Sequence, residues 1–249
     1  GGNRIEVYRP TDTEQARRDA LVLWVARISE ALEAERLALR CQRIQALAGD
    51  GAALGFEVLL GLPADAGETP PPGEFVQAAE RYQRMLAVDR WVIEHTFRWL
   101  RDHPEQLART AMVSLNLSAQ SLGDAQTPGF IFERLLKYRL PPEKFCFEVS
   151  EAAALAHRAD TADFMHELHA AGCRFALDNV GTGCAGGEHL HQLPLDFVKI
   201  DGAFVRALGD DAGGDVLLRA INALAHYAGL ASIAENVEDD ATLAQLRAI

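Results

Sequence analysis

Six polar residues stand out from the apolar runs that surround them: Glu57, Asn116, Glu148, Asp178, Lys199 and Glu235. Each sits in or just after a short run rich in Val, Leu, Ile and Phe, mostly near its C-terminal end. Carboxylates together with a side-chain carbonyl are hard oxygen ligands, which suit Mg²⁺ or Mn²⁺ better than zinc. Pooled carboxylates repel one another, so a metal ion is their natural neutraliser. Lys199 would then orient a water or face a phosphate oxygen. Metal ions that bridge phosphate oxygens activate water and offset developing charge. The chemistry this set suggests is metal-dependent phosphoester hydrolysis. A single strand-end acid is more often a helix cap or an ion-pair partner. It is the set of six that carries the functional reading.

A competing signal lies at Gly181, Gly183 and Gly186, which form G-x-G-x-x-G after an apolar run, with Asp201 twenty positions beyond the first glycine. A dinucleotide fingerprint belongs to the first strand–helix turn and opens a helix on its glycines. Here it follows the fifth predicted strand in a glycine-rich stretch, so a flexible loop above the metal site is the better account. His166 and His169 share a predicted helix, and His189 and His191 lie nearby in sequence, but no Cys or acid completes a zinc set. There is no G-x-S-x-G elbow. Trp24, Trp91 and Trp99 fall on helical stretches and read as core anchors.

Something must bring the six residues to one place. Residues 11–35 have helical period, with Leu21, Trp24, Ile28 and Leu32 near one face. Strands are predicted at 37–44, 55–62, 112–117, 145–149, 174–178, 196–200 and 230–235. Helices are predicted within 74–100, as one or two, and at 128–138, 158–171, 187–193, 214–228 and 239–248. Strand and helix alternate to the end, which argues for parallel βαβ units. A doubly wound sheet and a (β/α)8 barrel both fit the count. Acids at the C-terminal ends of successive strands favour the barrel, where those ends converge on one site.

The 249 residues are 49% hydrophobic, ample for one large α/β domain. A net charge of −12 makes the chain a poor partner for DNA or an anionic membrane surface. Cys41, Cys146, Cys173 and Cys184 form no C-x-x-C pair and read as reduced, mostly buried thiols. No run approaches 18 apolar residues and no signal peptide opens the sequence, so the expected location is cytoplasmic, compatible with an anchor elsewhere in a longer protein.

Taken in order, the motifs GFEVLL, SLNLS, FEVSE, LDNVGTG, FVKIDGAFV and IAENVE, with CQRI on the first strand, resemble EAL domains, the cyclic di-GMP phosphodiesterases and their inactive relatives. Val58 stands where that family usually has Ala. The resemblance implies a (β/α)8 TIM-like barrel over residues 30–249 with one antiparallel strand. It implies that residues 1–29, including NRIEVYRP, are a linker helix from an upstream GGDEF-like domain. It implies Mg²⁺ or Mn²⁺ on Glu57, Asn116, Glu148 and Asp178, with Asn179 at a second metal position. Lys199 and Glu235 would serve the attacking water, Glu151 would brace the glycine loop, and Gln42, Asp89 and Leu60 would contact the nucleotide. A homodimer is also implied.

This chain departs from the family pattern at several positions. The second aspartate of the loop is Asn179, which offers only a neutral carbonyl. The arginine after the naming motif is Gly61, Val180 replaces a Phe, and Cys184-Ala185-Gly186-Gly187 replaces the usual end of the loop. The sequence ends at Ile249, before the family's last strand and its Gln-Gly-Tyr segment. Three functions follow as alternatives. One is a degenerate domain with little or no hydrolysis that acts as a cyclic di-GMP receptor or regulator. The second is a working phosphodiesterase that yields linear pGpG. The third is a protein-interaction module that binds neither metal nor nucleotide. The departures favour the first.

Overall fold

The computed structural model describes residues 25–34, 36–47, 53–61, 72–156, 158–181, 193–208 and 214–249. Among these residues seven strands form one sheet: β1 (Ala38–Gln45), β2 (Ala53–Gly61), β3 (Met112–Leu117), β4 (Phe145–Ser150), β5 (Arg174–Val180), β6 (Phe197–Ile200) and β7 (Ala231–Ala234). Their spatial order is their sequence order. β1 and β2 are antiparallel, and every later pair is parallel. A doubly wound sheet reverses its strand order at a switch point. A consecutive order is that of a barrel wall, so the barrel expectation holds, with its one antiparallel strand at β1.

Strand alternation sorts the residues into two environments. Val113, Leu115, Phe147, Val149, Phe175 and Leu177 are buried and face the helical layer, together with Phe97, Leu100 and Ile93 of the helix Met85–Asp102. Their neighbours in sequence point to the opposite face. There Met112, Cys146 and Ala176 are buried, with Ile44, Phe197 and Ile233 packed against them. Ser114, Asn116, Glu148, Asp178 and Lys199 lie two or four residues further along the same face. A slip of one residue would send all of them into the outer core, so the apolar pattern fixes the site's register.

The stretch 74–100 resolves into two helices, Pro72–Arg81 and Met85–Asp102, parted by Gln83 in the left-handed region at φ 55°. Four short helices have too few turns to show a period in sequence: Pro104–Arg109, Ala119–Leu122, Glu151–Ala156 and Gly202–Arg206. Residues 25–33 are helical. The rest of the proposed linker, the predicted helix at 187–193 and most of the glycine loop lie outside the described residues. Trp91 packs on the core as expected. Trp99 does not: it is 44% exposed and stacks on His103. Among the described residues no helix is long and apolar enough to cross a membrane.

Candidate functional site

Four carboxylates, carried by β2, β4, β5 and the residue that follows β7, close on one ammonium. Lys199 Nζ lies 2.5 Å from Glu148 Oε2, 2.7 Å from Glu235 Oε1, 3.1 Å from Glu57 Oε2 and 3.5 Å from Asp178 Oδ1. Asn116 Nδ2 donates to Glu57 Oε1 at 2.8 Å. All six predicted residues therefore meet. Lys199 is itself a central counter-ion to the acids that were expected to need a metal, because β6 delivers it between β5 and β7.

One ammonium does not balance four carboxylates. Burial pushes the Glu148 carboxyl up to about 7, with Glu57 adding to the rise and Lys199 opposing it. Burial also raises Asp178 and Glu235 above the usual carboxylate range. Burial alone would pull Lys199 down, but Glu148, Asp178, Glu57 and Glu235 outweigh it and hold the lysine well above its ordinary value. The excess negative charge and the hard oxygen donors fit a divalent cation. So does Asp178 Oδ1, which is buried and accepts no hydrogen bond. Among the described residues, no three His, Cys, Asp or Glu side chains form a ready-made cation cage, because the acids are gathered on Lys199.

Two asparagines turn the chain just behind these acids. Asn179, at φ 59°, follows Asp178, and Asn236, at φ 54°, follows Glu235. Asn tolerates the left-handed region better than most residues. Asn179 Nδ2 donates to Asp178 Oδ2 at 2.8 Å, so its amide is turned onto the neighbouring acid. A Cβ on Gly202 would come within 2.2 Å of Asn236 Nδ2, so only glycine permits this approach of the turns after β6 and β7.

Other predicted residues stand apart from the cluster. Gln42 is exposed and faces Glu57 across the β1–β2 pair. Leu60 is not on the Glu57 face: strand alternation turns it onto the outer core. Asp89 is buried, and its Oδ2 accepts from Ser118 N at 2.9 Å and from the hydroxyls of Ser118 and Ser121 at 2.6 Å each. That network ties the helix Met85–Asp102 to the turn two residues after Asn116. Glu151 is buried at the start of its short helix with no hydrogen-bond partner on either oxygen, and the loop it was expected to brace lies mostly outside the described residues.

The glycine question is answered by Asp201. Its Oδ1 accepts from Ala203 N at 2.6 Å and caps the helix Gly202–Arg206, so it is no ribose ligand. His166 and His169 are exposed, as expected of surface polar residues, and His169 lies 3.7 Å from Asp196. Two residues at this face were missed from sequence. Ser114 is buried and donates its hydroxyl to Glu148 Oε1. Arg40 lies on the same sheet face as Gln42. In both cases the available signal was a polar residue two positions from a predicted site residue on the same strand.

The family model for the EAL domain matches residues 25–249. The chain belongs to the EAL family. It is 32% identical over its whole length to the cyclic di-GMP phosphodiesterase PdeB of Shewanella oneidensis, covering 29% of that protein. It is 28% identical over 86% of its length to the bifunctional diguanylate cyclase/cyclic di-GMP phosphodiesterase MucR of Pseudomonas aeruginosa, covering 31% of it. The chain thus spans under a third of the length of these relatives. Among solved structures it resembles the PaMucR phosphodiesterase in complex with c-di-GMP, with a TM-score of 0.83, 27% identity and 90% of each chain covered. It also resembles the EAL domain of FimX from Pseudomonas aeruginosa bound to c-di-GMP, with a TM-score of 0.81, 31% identity and 90% of each chain covered.

Proposed function

We propose that this EAL domain binds cyclic di-GMP and turns it over slowly or not at all, so that it acts as a receptor or regulatory domain. The observation that carries this reading is the pairing of a complete cluster with an incomplete loop. Glu57, Asn116, Glu148, Asp178, Lys199 and Glu235 converge, while Asn179 offers an amide turned onto Asp178.

Glu57, Asn116, Glu148 and Asp178 would hold a divalent ion, Mg²⁺ or Mn²⁺, which when bound neutralises a phosphodiester and acidifies water. Lys199 is fixed by carboxylates on three strands and by Glu235 just after β7, and would orient the attacking water. Glu235, 2.7 Å from Lys199 Nζ, is placed to accept that water's proton. Attack would form a bond from the water oxygen to phosphorus and break the P–O bond to one ribose, whose oxygen would take up a proton from solvent, leaving linear pGpG. Asn179 would bring no charge to a second ion, so less of the charge that develops on the phosphate would be offset.

An active phosphodiesterase is the second reading, favoured by the intact Lys199 cluster and the likeness to PdeB. Calorimetric titration of cyclic di-GMP in Ca²⁺, followed by a product assay in Mg²⁺ and Mn²⁺, separates the two. Binding with little product is expected. Rapid release of linear product would establish the second reading, and no binding would leave an interaction module. We also place the domain in the cytoplasm, downstream of a GGDEF-like domain and able to pair with a second copy. The free thiols of Cys41, Cys146 and Cys173 support a reducing compartment, and the likeness to MucR supports the tandem arrangement.

A further inference from the structure

Across the β1–β2 pair, Gln42 faces Glu57, Arg40 faces Leu59 and Ala38 faces Gly61. Directly opposed residues of an antiparallel pair project to the same side. Ile44, two residues beyond Gln42, packs in the inner layer with Met112, Cys146 and Ala176. Arg40, Gln42 and Ile44 therefore share the face that carries Glu57. Arg40 stands one inward position beyond Glu57, toward the end of β2 where the carboxylates gather.

The side chain of Arg40 lies beside the glycine. A Cβ built on Gly61 would sit 3.6 Å from Arg40 Nε and 3.9 Å from Arg40 Cδ, both ordinary contacts. Gly61 is where the family pattern has its arginine. A guanidinium reaching over from the neighbouring strand thus runs through the space that a side chain at 61 would enter. Arg40 is exposed, and among the described residues its guanidinium is engaged by no carboxylate, although four acids lie on the same face. The other cation at this face, Lys199, is held by those four acids. Arginine is the side chain best shaped to grip two phosphate oxygens at once.

From this geometry we infer that Arg40 supplies the phosphate-gripping guanidinium of the site, standing in from β1 for the arginine absent at Gly61. The ligand class is an anionic phosphodiester held over the carboxylate cluster, so the inference rests on the reading that the domain binds cyclic di-GMP. With Arg40 in this place, an arginine at 61 is not required for the phosphodiester to be held.

Calorimetric titration of cyclic di-GMP in Ca²⁺ tests this on the wild-type chain, Arg40→Ala, Arg40→Lys and the double variant Arg40→Ala/Gly61→Arg, each checked for fold by circular dichroism. Arg40→Ala should weaken binding by about 10- to 100-fold, the range for a lost charged hydrogen bond. Arg40→Lys should fall between, since it keeps the charge and loses the fork. The double variant should regain about tenfold or more of the loss, because the space beside Gly61 accepts a side chain once Arg40 is trimmed. Unchanged affinity in Arg40→Ala, or a folded double variant no tighter than Arg40→Ala, overturns the inference and leaves the function reading intact. Absence of binding by the wild-type chain overturns both.

Discussion

The hydroxyl of Ser114 donates to Glu148 Oε1 from the adjacent strand, and both side chains are buried. This leaves Oε2 of Glu148 for Lys199 or a metal ion and fixes the carboxylate's rotation. Groups that orient a metal ligand are worth roughly 10- to 100-fold in metal affinity. Ser114→Ala and Ser114→Val should each weaken Mn²⁺ binding by that order, while Ser114→Thr, which keeps the hydroxyl, should bind within a few-fold of wild type. Calorimetric Mn²⁺ titration reads the difference. Equal affinities for the Thr and Val variants would reduce Ser114 to a packing residue.

In the absence of metal, stability should fall as pH rises through the acid range. Glu148 has its folded-state pKa raised to about 7 from an ordinary value of 4.5. Below pH 4.5 both the folded and unfolded states hold the proton. Between 4.5 and 7 the unfolded chain releases it while the folded chain retains it, so folding loses stability, by up to about 3 kcal/mol. Above pH 7 the Glu148 contribution is flat. Lys199 is shifted upward from 10.5, so its stabilising share persists through this whole window. Urea midpoints in EDTA across pH 4 to 8 test the slope. A midpoint that rises over that range, after the other carboxylates are accounted for by a Glu148→Gln control, would refute it.

Removing the central ammonium should unsettle the fold more than removing any one acid. Lys199→Met leaves four carboxylates facing one another without their counter-ion. Breaking a buried pair from one side costs roughly 3–5 kcal/mol. The loss should be larger at pH 8 than at pH 5, where Glu148 is protonated, and Mn²⁺ should recover part of it. Thermal melts at the two pH values, with and without the ion, decide the matter. A pH-independent loss would point to packing alone.

Asn179→Asp should raise turnover in Mn²⁺ by about 10²-fold, the scale of one missing electrostatic contributor at a phosphoryl transition state. Asn179→Gly keeps the left-handed turn and adds no carboxylate, so it should show no gain. Counting linear product per hour for the three proteins distinguishes charge from backbone shape. No increase in the aspartate variant would place the limiting defect elsewhere in the loop.

Much of the scaffold was legible because it follows alternation. β3 runs from Met112 to Leu117, as predicted from MVSLNL, and the acids at the strand ends were visible as polar breaks in apolar runs. What sequence hid was the third dimension of those polar residues. The role of Lys199 as hub depends on β6 lying between β5 and β7, a fact of strand order. Ser114 looks like one small residue in a strand, and its value appears only when β4 brings Glu148 beside it. Arg40 is one of two arginines on β1, and only the antiparallel register says which of them shares a face with Glu57. Leu60 and Asp89 show the converse: motif position suggested ligand contact, and what the fold adds is that Leu60 packs on the outer core while Asp89, within its helix, accepts from Ser118 and Ser121.

The contact between Lys199 and Glu57 joins residues 142 positions apart. Contacts of such separation form late, after most of the chain's closure entropy has been spent. The cluster therefore cannot exist on a half-finished sheet, since it needs β2 and β6 in place together. A nascent or partly unravelled chain carries every one of these residues and still has no assembled cluster. The dependence also runs the other way. A ligand at a hundred times its dissociation constant would add about 2.7 kcal/mol to the folded state, so the concentration of nucleotide would govern how long the domain survives as well as what it signals.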